Sequence, residues 1–108
     1  MIGGLEDLTA AAVDGSPLAP GTYEISSTLQ LETGQTLAAD KPGQTTVRFT
    51  GTRGSVIEVT GQNVTISGIT ITGGSNTNGN GGGIAVARNA SLTLIDSTVT
   101  GNTAREGV

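Results

Sequence analysis

From Tyr23 onward, apolar residues recur at alternate positions in short runs: Tyr23-x-Ile25, Leu29-x-Leu31, Val47-x-Phe49, Ile57-x-Val59, Val64-x-Ile66, Ile69-x-Ile71, Ile84-x-Val86, Leu92-x-Leu94 and then Val99. A period of two sends every second side chain to the same side of an extended chain, so each run predicts a short β-strand with one buried face. The segment before them is spaced differently. Leu5, Leu8 and Ala12 share one helical face, Glu6 and Asp7 favour the positive end of a helix dipole, and Asp14-Gly15 ends the pattern. A helix over 5–13 is expected. Ala19-Pro20-Gly21-Thr22 has the residue order of a type II turn, and the glycine-rich stretch from Gly73 to Gly83 reads as a long turn standing out from the strands.

The runs are too short and too closely bounded by glycine for a broad sandwich, which directs attention to repetition. Asn63-Val64-Thr65-Ile66-Ser67-Gly68-Ile69-Thr70-Ile71-Thr72-Gly73-Gly74 aligns without a gap on Ser91-Leu92-Thr93-Leu94-Ile95-Asp96-Ser97-Thr98-Val99-Thr100-Gly101-Asn102, a shift of 28 residues. Upstream, Ile57-Glu58-Val59 precedes the first copy much as Ile84-Ala85-Val86 precedes the second, and a looser version runs from Tyr23 to Leu37. A unit of this length with two or three small strands cannot bury its inward side chains alone, but units stacked about 4.8 Å apart can. The Leu-x-x-Leu-x-Leu spacing of leucine-rich repeats is absent, and so is the 3.6-residue period of helical repeats. The expectation is all-β: a parallel solenoid of about three coils over 22–108, capped by the helix over 5–13, in one domain.

The same residues resemble the right-handed parallel β-helix, or pectate-lyase-like, superfamily. Leu5 to Val13 looks like the amphipathic helix that caps such solenoids, Leu18-Ala19-Pro20-Gly21-Thr22-Tyr23-Glu24-Ile25 like their first-strand entry, and Gln62-Asn63-Val64-Thr65-Ile66 like an inner coil. Gly81-Gly82-Gly83-Ile84-Ala85-Val86 followed by Leu92 to Ala104 is similar to coils of bacterial surface and autotransporter-type proteins. The resemblance implies a right-handed coil and a bacterial, extracellular or cell-surface setting, and it specifies fold better than function.

Composition narrows the chemistry. There are 108 residues, 18 of them glycine, with no cysteine, histidine or tryptophan, one tyrosine and one phenylalanine. Disulfides, thiol chemistry, a Ser-His-Asp triad and the usual zinc, haem and iron–sulfur ligands have no residues to make them. A net charge of −4, with neither sign gathered into a block, disfavours nucleic acid. No apolar run approaches the roughly 20 residues of a spanning helix, so membrane insertion is not expected, and residues 1–15 lack the pattern of a secretion signal.

Enzymes of this fold carry acids, often with Arg or Lys, on one face of successive coils. The candidates are Asp96, Arg88, Glu58 and Arg48, but the repeat sets Asp96 over Gly68 and Glu58 against Ala85. Stacked carboxylates are therefore not expected, and no catalytic residue, metal or cofactor is assigned. The glycine-rich stretch has no Gly-Lys-Ser/Thr pair for a phosphate loop and no Asp for a calcium roll. It is read as a contact loop, with Ser75, Asn76, Thr77, Asn78 and Asn80 as its surface. Asn63-Val64-Thr65 and Asn89-Ala90-Ser91 match a glycosylation pattern but read more simply as corner asparagines. Thr70 and Thr72 under Thr98 and Thr100 form a small Thr-x-Thr array of the kind found on ice-binding solenoids, although threonine is also ordinary on exposed strands.

The pattern at Arg105-Glu106-Gly107-Val108 leads one to expect a further strand rather than a cap, leaving Leu92, Leu94, Val99 and Val108 as an open edge. The expectation is a non-catalytic stalk, adhesin or assembly unit. Its partners would be a second copy meeting the open edge, or a surface glycan or protein, and the solenoid is expected to continue past Val108. The alternative is the non-catalytic first part of a polysaccharide lyase or hydrolase, and ice binding stands third.

Overall fold

The computed structural model describes residues 5–51, 54–80 and 82–106. One helix, α1 (Leu5–Asp14), precedes a series of short strands: β1 (Gly21–Ile25), β2 (Leu29–Leu31), β3 (Thr36–Ala38), β4 (Thr45–Phe49), β5 (Ile57–Val59), β6 (Val64–Ser67), β7 (Ile69–Thr72), β8 (Ser75–Asn80), β9 (Ile84–Val86), β10 (Leu92–Ile95), β11 (Thr98–Val99) and β12 (Thr103–Glu106). Each alternating run of the sequence is a strand.

The strands form sheets ordered β1-β4-β7-β11, β2-β5-β9 and β3-β6-β10, with β8 paired to β12, and every strand pair is parallel. The chain visits the three larger sheets in the same order on successive passes. That is mostly parallel strands in stacked sheets with one short helix, an arrangement compatible with a β-helix-like solenoid. The 28-residue shift is present in the register: Val64 pairs with Leu92, Ile66 with Leu94 and Thr70 with Thr98. Pairs lower in the stack are offset by as few as 24 residues, Gly21 on Thr45, and as many as 29, Thr36 on Thr65.

Parallel register stacks like on like. Tyr23, Val47, Ile71 and Val99 form one inward column, Leu29, Ile57 and Ile84 another, and Leu37, Ile66 and Leu94 a third. Within each column the lower members are buried. Tyr23 and Phe49, the two aromatics, are core residues, as the alternation implies.

The helix closes one end. Leu8, Ala11 and Ala12 are buried in the same core, and α1 packs on β1, β2 and β3. It ends in a Schellman motif: Gly15 takes φ 72°, and the Ser16 N–H donates to the Ala11 carbonyl at 3.1 Å. Leu18 then bridges to Ala39, locking the exit of the helix onto the first pass of the chain.

Two expectations need correction. Gly21 does not sit in a type II turn: its φ is 139°, and it opens β1 by donating its N–H to the Gln44 carbonyl at 2.9 Å. Residues 75–80 are not a protruding turn but the strand β8, paired in parallel with β12 through Ser75 on Thr103 and Ala104 on Asn76. Backbone pairing there needs no apolar side chain, so alternation carried no sign of it.

Candidate functional site

The expected contact surface lies along β8. Ser75 is half-buried and exchanges both backbone hydrogen bonds with Gly54, at 2.9 and 3.0 Å, forming an antiparallel bridge. Asn76, Thr77, Asn78 and Asn80 follow it along the same strand. The segment is thus tied on two sides, to β12 and to the residues before β5, and it widens the later part of the stack.

The expected assembly edge lies on β10 and β11. Leu94 tops its column at 45% exposure while Ile66 and Leu37 beneath it are fully buried. Leu92 and Val99 are partly buried against the core, and Val108 lies outside the described residues. Two neighbours escaped the sequence reading. Val86, above Val59, is 49% exposed, and Ile95, on the outer side of β10 above Ser67, is 46% exposed. Among the described residues no strand pairs with the outer edges of β9, β10 or β11. An apolar rim therefore coincides with unpaired backbone donors and acceptors.

Polar side chains clamp this last pass to the one below. The Ser91 hydroxyl accepts from the Asn63 N–H at 2.9 Å, Ser97 Oγ from the Ile69 N–H at 3.3 Å, and Asn102 Oδ1 from the Gly74 N–H at 2.8 Å. Asn102 Nδ2 also donates to the Ile71 and Thr100 carbonyls. These bonds satisfy backbone groups at corners, where the sheet ladder is interrupted. Asn63 and Asn89 take φ 61° and 68°, the left-handed corner role expected of them.

The charged candidates are dispersed. Asp96 is an exposed corner residue at φ 48° next to the Ile95 carbonyl that binds the Gly68 N–H. Glu58 lies between Gln30 and Ala85 in its sheet and accepts a hydrogen bond from Gln30 Nε2 at 3.1 Å. Arg48 meets Glu24 at 3.6 Å, and Arg88 is exposed in the turn before β10. No group of three or more Asp or Glu converges on a common point among the described residues.

The threonine array differs from the repeat-based expectation. Thr22, Thr46, Thr70 and Thr98 stand in one column, a rung apart, but the neighbouring column reads Glu24, Arg48, Thr72. The charged pair breaks the Thr-x-Thr pattern in the lower half. A second threonine column, Thr36, Thr65 and Thr93, runs up the β3-β6-β10 sheet.

A shallow groove of about 350 Å³ lies between α1 and the first pass, lined by Thr9, Val13, Thr28, Gln30, Glu32 and Gln35. Three of its polar side-chain atoms are engaged within the chain: Thr28 Oγ1 donates to the Ser55 carbonyl, Gln30 Nε2 to Glu58, and Gln35 Oε1 accepts from the Glu32 N–H.

No family model, curated protein or solved structure matches the chain. The fold class rests on strand topology, and function has to be argued from surfaces.

Proposed function

We propose that the chain is a right-handed parallel β-helix of about three coils acting as a non-catalytic structural or binding module of an extracellular or cell-surface protein, with the open edge as its self-assembly surface. The observation that carries this reading is the difference between the two ends of the stack. α1 buries Leu8, Ala11 and Ala12 over the first pass, while Val86, Leu94 and Ile95 are about half exposed beside the edges of β9 and β10, which pair with no further strand among the described residues. Edges of that kind pair with further strands unless something blocks them.

The scattered carboxylates also favour this reading over the polysaccharide-cleaving alternative, which needs acids facing one another across a sugar. Light scattering behind size exclusion, over a hundredfold range of concentration, is the test. An average mass that rises above one chain supports assembly through the edge. A mass fixed at one chain would remove assembly and leave only the outer faces as working surfaces.

A further inference from the structure

We infer that the groove between α1 and the first pass is a binding subsite for a neutral saccharide of one or two rings. It lies beside β2 and β3, at the opposite end of the stack from β9 and β10, so it goes beyond assembly through the open edge and stands or falls separately from it.

Two of the groove's side-chain amides are each anchored at one end and uncommitted at the other. Gln35 Oε1 accepts from the Glu32 N–H at 2.8 Å, and Gln30 Nε2 donates to Glu58 Oε1 at 3.1 Å. Gln35 Nε2, Gln30 Oε1 and the Glu32 carboxylate have no hydrogen-bond partner among the described residues. The turn carrying Gln35 is itself pinned. Its N–H donates to the Glu32 carbonyl at 3.1 Å, and the Gly34 N–H donates to the Gln62 carbonyl of the next pass at 2.9 Å. Side chains already held by the fold lose little rotamer freedom on binding, and that loss is what weakens most polar surface grooves.

The uncommitted atoms define a ligand. Gln35 Nε2 needs an acceptor, while Gln30 Oε1 and Glu32 need donors. A hydroxyl does both, so neighbouring hydroxyls on one ring can satisfy the whole set. An ammonium group has donors only and would leave Gln35 Nε2 facing another donor. An anion would meet the Glu32 carboxylate with no Lys or Arg in the lining to offset it. On the helix side Val13, 63% exposed, offers an apolar contact for the C–H face of a ring. The volume of about 350 Å³ falls at the small end of ligand sites, which run from roughly 300 to 1,000 Å³.

The test is a two-dimensional NMR titration of the full chain with glucose, galactose, N-acetylglucosamine, maltose and cellobiose, each to about 50 mM, beside glucuronate and lysine. At least one of the neutral sugars should shift the Gln30 and Gln35 side-chain amides and the Glu32 backbone amide saturably, with a dissociation constant in the millimolar range, and neither charged compound should. Gln35→Glu keeps an oxygen for the Glu32 N–H but replaces the donor, and should weaken binding about tenfold. Val13→Gln, at an exposed helix position, should weaken it several-fold without unfolding the chain. No saturable shift at the groove with any neutral sugar would overturn the subsite, whatever light scattering shows of assembly. Saturation by lysine or glucuronate in place of the sugars would overturn the ligand class, and sugar affinity unchanged by both variants would place the binding elsewhere and overturn the site.

Discussion

Backbone approach between passes sets the sharpest constraint on single residues. Gly61 is buried, and a Cβ there would run into the backbone of Thr33 one pass below, where no flexible side chain could give way. Gly61→Ala should therefore cost about 2 to 3 kcal/mol in a denaturant melt. Gly34, at φ 78° with open space around it, supplies the contrast. Its alanine variant meets only the left-handed backbone penalty, about 1 to 2 kcal/mol. Asn102 makes a different kind of contribution, since it accepts from Gly74 and donates to two carbonyls. Asn102→Ala should lose about 1 to 2 kcal/mol, and faster hydrogen exchange at the Gly74 amide would identify that lost bond as the cause.

At the scale of the strand, position in the stack decides what a side chain contributes. Ile66 in β6 is fully buried with Leu37 below and Leu94 above, whereas Leu94 in β10 has no strand above it among the described residues. Ile66→Ala should cost about 3 to 4 kcal/mol and Leu94→Ala about 1 kcal/mol or less when both are measured at concentrations too low for assembly. Equal losses would mean that the last pass is covered in the isolated chain. Sequence alternation exposed the strands that place two apolar residues inward, such as Leu29-x-Leu31 and Val64-x-Ile66. It was silent on β3, whose only inward apolar residue is Leu37, and on β8, whose Ser75-Asn76-Thr77-Asn78-Gly79-Asn80 contains none. The repeat revealed the edge residues Leu92, Leu94 and Val99. It could not reveal Ile95, because an outward isoleucine breaks the alternation that made its neighbours legible, nor the four-threonine column, because Thr22 and Thr46 belong to passes with a different offset.

At the scale of the whole molecule, both aromatics lie in the core and no acids converge among the described residues, which sets two expectations. Incubation with anionic polysaccharide should release no product above a blank, and turnover that disappears in Asp96→Ala would contradict the structural reading. Freezing-point hysteresis at millimolar protein should match buffer, since Glu24 and Arg48 interrupt the threonine pattern; a clear gap would instead make that sheet the working face. The narrow spread of register offsets, 24 for Gly21 on Thr45 and 29 for Thr36 on Thr65, also bears on how the chain is made. At the ~5 to 20 residues per second of synthesis, a new pass leaves the ribosome every few seconds, far longer than the microseconds in which a short loop closes. The helix emerges first and blocks the starting edge, so each later pass finds one template only. Growth in a single direction spares the nascent chain the choice between competing partners, and the order of synthesis becomes the order of the stack.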